Sequence, residues 1–319
     1  MTASIVAPPE SVATPSAPAR RRFGSRNRAA RAMLLPVTIV AVVLGGYPIV
    51  TGIWVGFTNE RVGGVFGIVK TRFVGLTNFR TIIEDPLFRG GAVLILEIAG
   101  AVVAITYVLA YLQASLLNMD FPLRRVVRTI ALLPMAVPAV VVGTLFGYLY
   151  DPSVGSIDGW LVHLGLVKNP QFLPDATFRW MWIAIPAIWM ALPFATLFLL
   201  AAMQGIDGEQ LEAATVDGAG WARRFWHITF PGTRGALAAI VPLSFAAQML
   251  AFEMYLALFG QGGGDLASAG VLIPTVYAYQ NLSDGLMGRA AATGDLILVV
   301  IVAAFGVSRY LSLREDRTR

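Results

Sequence analysis

Long apolar runs alternate with short polar stretches along this chain. Six runs approach or exceed the roughly 20 residues of helix that a bilayer requires: Met33–Phe57, Gly91–Leu117, Thr129–Tyr150, Trp180–Met203, Leu237–Phe259 and Ala290–Val307. Alternation of apolar and polar residues with period two, the mark of a barrel strand, is absent. Inside hydrocarbon every backbone polar group needs an internal partner, which a helix supplies within its own segment. The pattern predicts an all-α membrane protein with six transmembrane helices. Proline recurs within these runs, at Pro48, Pro134, Pro138, Pro186, Pro193 and Pro242. Each removes a backbone donor and tends to kink a helix. Such breaks suit a protein that opens and closes around a cavity, and they are also common in membrane helices generally.

One polar segment stands out between the fourth and fifth runs. Asp207 is placed to cap a helix, and Gln210 three residues later makes a variant of the capping box. Glu209 and Glu212 follow in the first turns, where the helix dipole favours anions. Gly218 and Gly220 interrupt the helix, glycine being the residue that adopts a left-handed C-cap most readily. A second short helix is expected next, with Trp221, Phe225 and Ile228 at i, i+4 and i+7 on one apolar face, ending at Pro231 and Gly232. The sequence thus predicts a helix–turn–helix elbow over residues 207–232. Such a surface suits docking into a partner's groove; packing on its own spans is the alternative.

Composition agrees with membrane embedding. Charged residues make up 13% of the 319 residues, about half the share usual in a soluble domain. No cysteine is present, and the two histidines, His163 and His227, are far apart. A disulfide framework and a thiolate metal site are excluded, and a histidine triad or zinc site is not supported.

Arginine placement predicts orientation. The stretches that share the N-terminal side of the membrane hold Arg20, Arg21, Arg22, Arg26, Arg28 and Arg31, then Arg124, Arg125 and Arg128, then Arg223, Arg224 and Arg234, and finally Arg309, Arg314, Arg317 and Arg319. By the positive-inside rule this side is cytoplasmic, with both termini and the elbow on it. Residues 1–31, rich in Ala, Pro and Ser before a basic cluster, read as a disordered tail. The apolar run after them exceeds a signal-peptide core, so it is expected to be retained as the first span. Residues 314–319 read as a second cytoplasmic tail.

"EAATVDGAGWARRFWHITFP" resembles the EAA loop of ABC-importer permeases. Glu212, Ala213, Ala214, Gly218, Ile228 and Pro231 occupy the positions of that motif; Phe230 stands where leucine is usual. The Asp217-Gly218-Ala219 triplet is similar to the carbohydrate-uptake branch. So are "YPIVTGIWVGFT", "FVGLTNFRTIIEDPLF" and "LLPMAVPAVVVGTLFGYLYDPSVGSIDGWL". The resemblance extends from about Met33 to Leu313, so residues 32–313 are expected to form one six-span permease domain.

What the resemblance implies is half of an ATP-driven sugar importer in a bacterial inner membrane, without enzymatic activity of its own. Glu212, Ala213, Ala214, Asp217, Gly218, Ile228 and Pro231 would couple to a cytoplasmic ATPase dimer, which would bind ATP and Mg. The chain holds no Gly-x-x-x-x-Gly-Lys-Ser/Thr phosphate loop and is expected to carry no cofactor or metal. A second homologous permease subunit and an extracytoplasmic sugar-binding protein complete the implied assembly, with no nucleic acid.

Ionisable residues inside a membrane are candidates for function by default. Glu97, Glu253 and Asp295 are the three, with Gln248, Phe252, Tyr255 and Asn281 adding polar and aromatic surface. The segment "FEMYLALFG" around Glu253 resembles the path-lining segment of the family, so Glu253 ranks first. For Glu97 and Asp295, pairing with polar groups on neighbouring helices or a place near the membrane boundary is the stronger explanation. Two other classes remain open: an ion-driven secondary carrier, though no repeat is evident, and a membrane enzyme, though no nucleophile–base motif is evident. Among importers, sugars and glycerol-3-phosphate-type solutes are both candidates, and the scarcity of basic residues within the spans leans toward a neutral sugar.

Overall fold

A computed structural model describes residues 33–63, 67–68, 71–151, 163–165, 179–260 and 272–316. The tail over 1–31 lies outside the described residues, as do the last three residues of the chain and much of the loop after the third span. Eleven helices are found among the described residues, with one two-residue antiparallel ladder pairing β1 (Val62–Gly63) with β2 (Gly67–Ile68).

The chain divides into two compact units at Val50/Thr51, inside the first helix, α1 (Met33–Gly56). The first unit holds the N-terminal part of α1, an apolar helix widened into a π turn at Val42–Gly46. All else belongs to the second unit. There α2 (Thr77–Glu84) leads to α3 (Pro86–Asn118), the longest helix. Asp85 starts α3: its carboxylate accepts from the Leu87 N–H at 2.9 Å, and Pro86 at the first helical position has no N–H to leave unpaired.

The third apolar run is not one straight helix. α4 (Arg124–Leu132) continues as a tight turn to Ala136, and α5 (Ala139–Leu149) departs from it at 90°. Pro138 accounts for the break, because its ring excludes the preceding residue from the helical region, and Val137 is extended (φ −86°, ψ 126°). The other prolines behave differently. Pro186 and Pro193 lie inside the continuous α6 (Arg179–Gln204), and Pro242 lies inside α8.

After α6 come α7 (Gly208–Val216) and then α8, which runs from Trp221 to Leu250. Here the sequence expectation of a stop at Pro231 is corrected: the helix continues through it. The chain forms a π turn at Phe225–Thr229, immediately before Pro231. A proline ring presses on the carbonyl four residues back, and a widened turn relieves that contact. The same arrangement occurs in α1, where the π turn Val42–Gly46 precedes Pro48.

The fifth run is shorter than expected. α8 ends at Leu250, Ala251 is extended, and a separate helix, α9 (Glu253–Gly260), begins two residues later. α10 (Pro274–Ser283) and α11 (Met287–Asp316) complete the chain, α11 running on into the stretch read as a tail. By length and composition five helices can cross a membrane, or six if the bent α4–α5 pair counts as one.

Two apolar clusters organise the second unit. One joins Ile95, Ile98 and Val102 of α3 with Val142, Ile183 and Tyr255. The other joins Tyr111 and Ala114 of α3 with Leu199 and Met203 of α6 and Ile240 of α8. α5 and α9 pack so closely that a Cβ on Gly143 would press on the Met254 carbonyl.

Candidate functional site

Within the second unit, a cavity of about 630 Å³ opens where α8 breaks. Its walls are Met190 and Phe194 of α6, Ser244 and Gln248 of α8, and Phe252 and Glu253 at the start of α9, with alanines filling most of the rest. Irregular backbone is tolerated at membrane depth where it lines a cavity, and the two-residue break at Ala251-Phe252 does so. The break is tied down by Thr275, whose hydroxyl donates to the Ala251 carbonyl at 3.4 Å.

The polar groups here are few and held in place. The Ser244 hydroxyl shares a 2.8 Å hydrogen bond with Tyr107 of α3. Gln248 accepts at Oε1 from the hydroxyl of the fully buried Tyr255 at 3.3 Å, which leaves its amide N–H groups without a partner among the described residues. Glu253 is exposed and makes no ion pair among them. Phe252 packs on Tyr279, ring centroids 5.1 Å apart. Among the described residues no basic side chain lines the cavity. The arrangement offers an amide donor, a hydroxyl, a carboxylate acceptor and aromatic faces, a set that matches a small solute rich in hydroxyls.

Of the residues singled out from sequence, Glu253, Gln248 and Phe252 line this cavity, and Tyr255 supports it from behind. Glu97 and Asp295 do not. Glu97 is exposed on the outer face of α3. Asp295 lies on α11 against Gly56, where a Cβ would press on its carboxylate, and its Oδ2 is buried without a partner among the described residues. Asn281 is buried and bonded at 2.8 Å to the Tyr277 carbonyl, so its side chain holds α10 together. Ser244, Met190 and Phe194 were not anticipated. Phe194 directly follows Pro193, one of the intramembrane prolines, and that was the one signal pointing to it.

The elbow forms a second candidate site. Asp207 caps α7, accepting from the Glu209 N–H at 3.0 Å. α7 ends in a Schellman turn: Gly218 has φ +73°, its N–H bonds the Thr215 carbonyl, and the Ala219 N–H bonds the Ala214 carbonyl. Glu212, Ala213, Asp217 and Gly218 are exposed and Ala214 is half-buried. Val216 keeps 88% of its surface open, an unusual state for an apolar residue on a short helix. α7 is clipped to α8 by Arg224, whose guanidinium donates to the Thr215 hydroxyl at 2.8 Å. Trp221 stacks on Phe225, which meets Tyr111 of α3 edge-on at 5.3 Å. Ile228 and Pro231 are half-buried beside them. The second helix of the elbow packs on its own spans, and the first leaves most of its side chains exposed.

Among the described residues no group of His, Asp or Glu could hold a metal ion.

Comparison with known proteins adds the following. A family described as the binding-protein-dependent transport system inner membrane component matches residues 106–317. The chain is 28% identical over 268 residues to the trehalose/maltose transport system permease protein MalF of Thermococcus litoralis, covering 84% of this chain and 88% of that protein. It is also 28% identical over 278 residues to the sn-glycerol-3-phosphate transport system permease protein UgpA of Yersinia pestis, covering 84% and 89%. Among solved structures, a chain of a bacterial ABC transporter involved in the import of the acidic polysaccharide alginate shares the fold, with a TM-score of 0.74 at 23% identity over 91% of this chain and 96% of that one.

Proposed function

The chain belongs to the binding-protein-dependent transport system inner membrane component family, and on that premise we propose that it is the permease subunit of an ATP-driven sugar importer. One observation carries the coupling part of this reading. The elbow and the cavity wall are parts of one continuous helix, α8, from Trp221 to Leu250. From Phe225 to Gln248 it spans about 35 Å at 1.5 Å per residue, so a displacement of the N-terminal end of α8 is carried along one helix to Ser244 and Gln248.

In this reading the arginine-rich side is cytoplasmic, and so are both termini. Glu212 and Asp217 make polar contacts with a separate ATPase subunit, Ala213 and Ala214 allow its close approach, and Gly218 sets the angle between the two helices. ATP and Mg belong to that partner. Nucleotide shifts the transporter only as far as it contacts the two states differently, and the exposed face of α7 is where that difference is delivered. A second permease subunit supplies the other half of the path. A second similar structure, of a bacterial alginate ABC transporter, is a complex with an alginate pentasaccharide-bound periplasmic protein, and a comparable binding protein is proposed to deliver cargo here.

For cargo, the cavity favours a neutral sugar. Phosphate and uronate recognition call for cations, typically bidentate arginine, and the described lining has none. The test is uptake of radiolabelled sugars by the complete assembly in proteoliposomes. ATP-dependent uptake that survives ionophores supports the importer; uptake that collapses with the ion gradient and ignores ATP overturns it in favour of a secondary carrier.

A further inference from the structure

The fifth and sixth spans meet at another cavity, separate from the path just described. Arg234 lies three residues before Leu237, where the uninterrupted apolar run of α8 starts. Arg309 lies two residues after Val307, where the apolar run of α11 stops. The Ser308 hydroxyl donates to the Ala238 carbonyl at 2.9 Å, which holds these two boundaries level with each other. Arg234 and Arg309 both line one cavity of about 780 Å³, whose remaining wall includes Leu237, Val241 and Leu311. Arg234 lies over the ring of Phe230, 5.3 Å from its centroid. Both arginines are exposed, and neither has a carboxylate within ion-pair distance among the described side chains.

Two cations with no carboxylate partner among the described side chains, at the boundary of two adjacent spans and above an apolar wall, match one class of ligand in both halves. We propose that this cavity binds an anionic phospholipid, its phosphate between Arg234 and Arg309 and an acyl chain along Leu237 and Val241. Guanidinium donates to phosphate oxygens in a fixed fork, and basic pockets between membrane helices are suited to anionic headgroups. A free anion leaves the apolar wall uncovered. An acidic protein surface would have to bring its carboxylates to the level of the membrane boundary. The cavity borders the end of the elbow through Phe230, Pro231 and Gly232, but it shares no described lining residue with the cargo cavity, and lipid retention is read without transport, so its failure leaves the transport reading untouched.

The experiment uses the full-length chain in a zwitterionic detergent, presented with phosphatidylglycerol and with phosphatidylcholine of identical chains, and reads bound lipid by native mass spectrometry. Phosphatidylglycerol is expected to be retained about tenfold or more over phosphatidylcholine. Arg234→Gln with Arg309→Gln is expected to remove that preference, and Arg223→Gln, off the cavity, to preserve it. Gly235→Trp is the second variant. Gly235 lines the cavity and a Cβ there meets open space, so the indole fills the site while both charges stay. It is expected to release phosphatidylglycerol as fully as the double variant. Equal retention of the two lipids overturns the proposal. So does preference surviving in Gly235→Trp, which would mean diffuse charge attraction, or displacement of the lipid by millimolar inorganic phosphate, which would mean a free-anion site. Thermal melting accompanies each variant, and should one fail to fold, the other decides.

Discussion

The hydroxyl of Tyr255 reaches back across the break between α8 and α9 and donates to Oε1 of Gln248 at 3.3 Å. Tyr255 is fully buried, while Gln248 faces the cavity. One buried side chain therefore sets which way the one side-chain amide among the described lining residues points. Removing the hydroxyl leaves the cavity's volume and lining intact and frees the amide to turn. A single neutral hydrogen bond is worth about 1 kcal/mol, roughly fivefold in an equilibrium. Tyr255→Phe is expected to raise the apparent KM for cargo about fivefold in reconstituted transport with little change in the maximal rate. A loss confined to the maximal rate would count against this role.

Glu253 and Glu97 are both exposed carboxylates, yet only Glu253 lines the cavity. Glu253→Lys is expected to lower sugar uptake at least tenfold, because it replaces an acceptor with a donor at the mouth of the site. Glu97→Gln is expected to leave uptake within a factor of two. Equal effects from the two would remove the cavity from the path.

Gly218 holds φ +73° with open space around its Cβ position. The cost of a side chain there is conformational rather than steric. A β-branched residue in this region costs about 1–3 kcal/mol, enough to straighten or redirect the elbow. Gly218→Val is expected to insert normally in the membrane and to lose at least nine-tenths of ATP-driven uptake. Uptake at the wild-type level would sink the coupling role.

Gly143 makes the opposite case, since its φ is ordinary and its neighbours are close. A Cβ there meets the Met254 carbonyl, and also Ala257 Cβ at 2.9 Å. Gly143→Leu is expected to separate α5 from α9 and cost about 1–3 kcal/mol, read as a fall of several degrees in the melting temperature of the purified protein. An unchanged melting temperature would contradict the packing.

Tyr277 donates to the Asp85 carboxylate at 2.8 Å, joining α10 to the cap of α3. Burial first, then this carboxylate, pushes the Tyr277 phenol up to about 12. Because the folded-state value lies above the ordinary value near 10, the stabilisation is fully present below pH 10 and is lost as pH rises toward 12. Tyr277→Phe is therefore expected to lower the melting temperature by the same amount at pH 6 and pH 9. A difference that grows between those two values would place the titration elsewhere.

Much of this protein is determined by local pattern. The helical class, the long apolar helices, the polar elbow and the left-handed turn at Gly218 follow from apolar run length and from the conformations open to glycine, properties that belong to a few consecutive residues. Asp85 and Asp207 cap helices for the same local reason. Local rules also misled where two of them competed. Pro231 ordinarily ends a helix, but a π turn absorbs its ring and α8 continues. Pro138 breaks its span through the extended Val137, whereas Pro186, Pro193 and Pro242 stay within continuous helices.

Only the tertiary structure decided what lines the cavity. Nothing in "LAFEM" forbids a helix, so the break at Ala251-Phe252 comes from non-local contacts: α9 packs on α5 at Gly143, and Thr275 holds the Ala251 carbonyl. The break turns Glu253 and Gln248 into one cavity with Ser244 and Phe194. Glu97 and Asp295, the same kind of residue in the same kind of helix, fall outside it. Residue type states that a buried polar group needs a reason. Which face of a helix meets which neighbour depends on contacts between residues far apart in sequence, and those form only when the chain has packed.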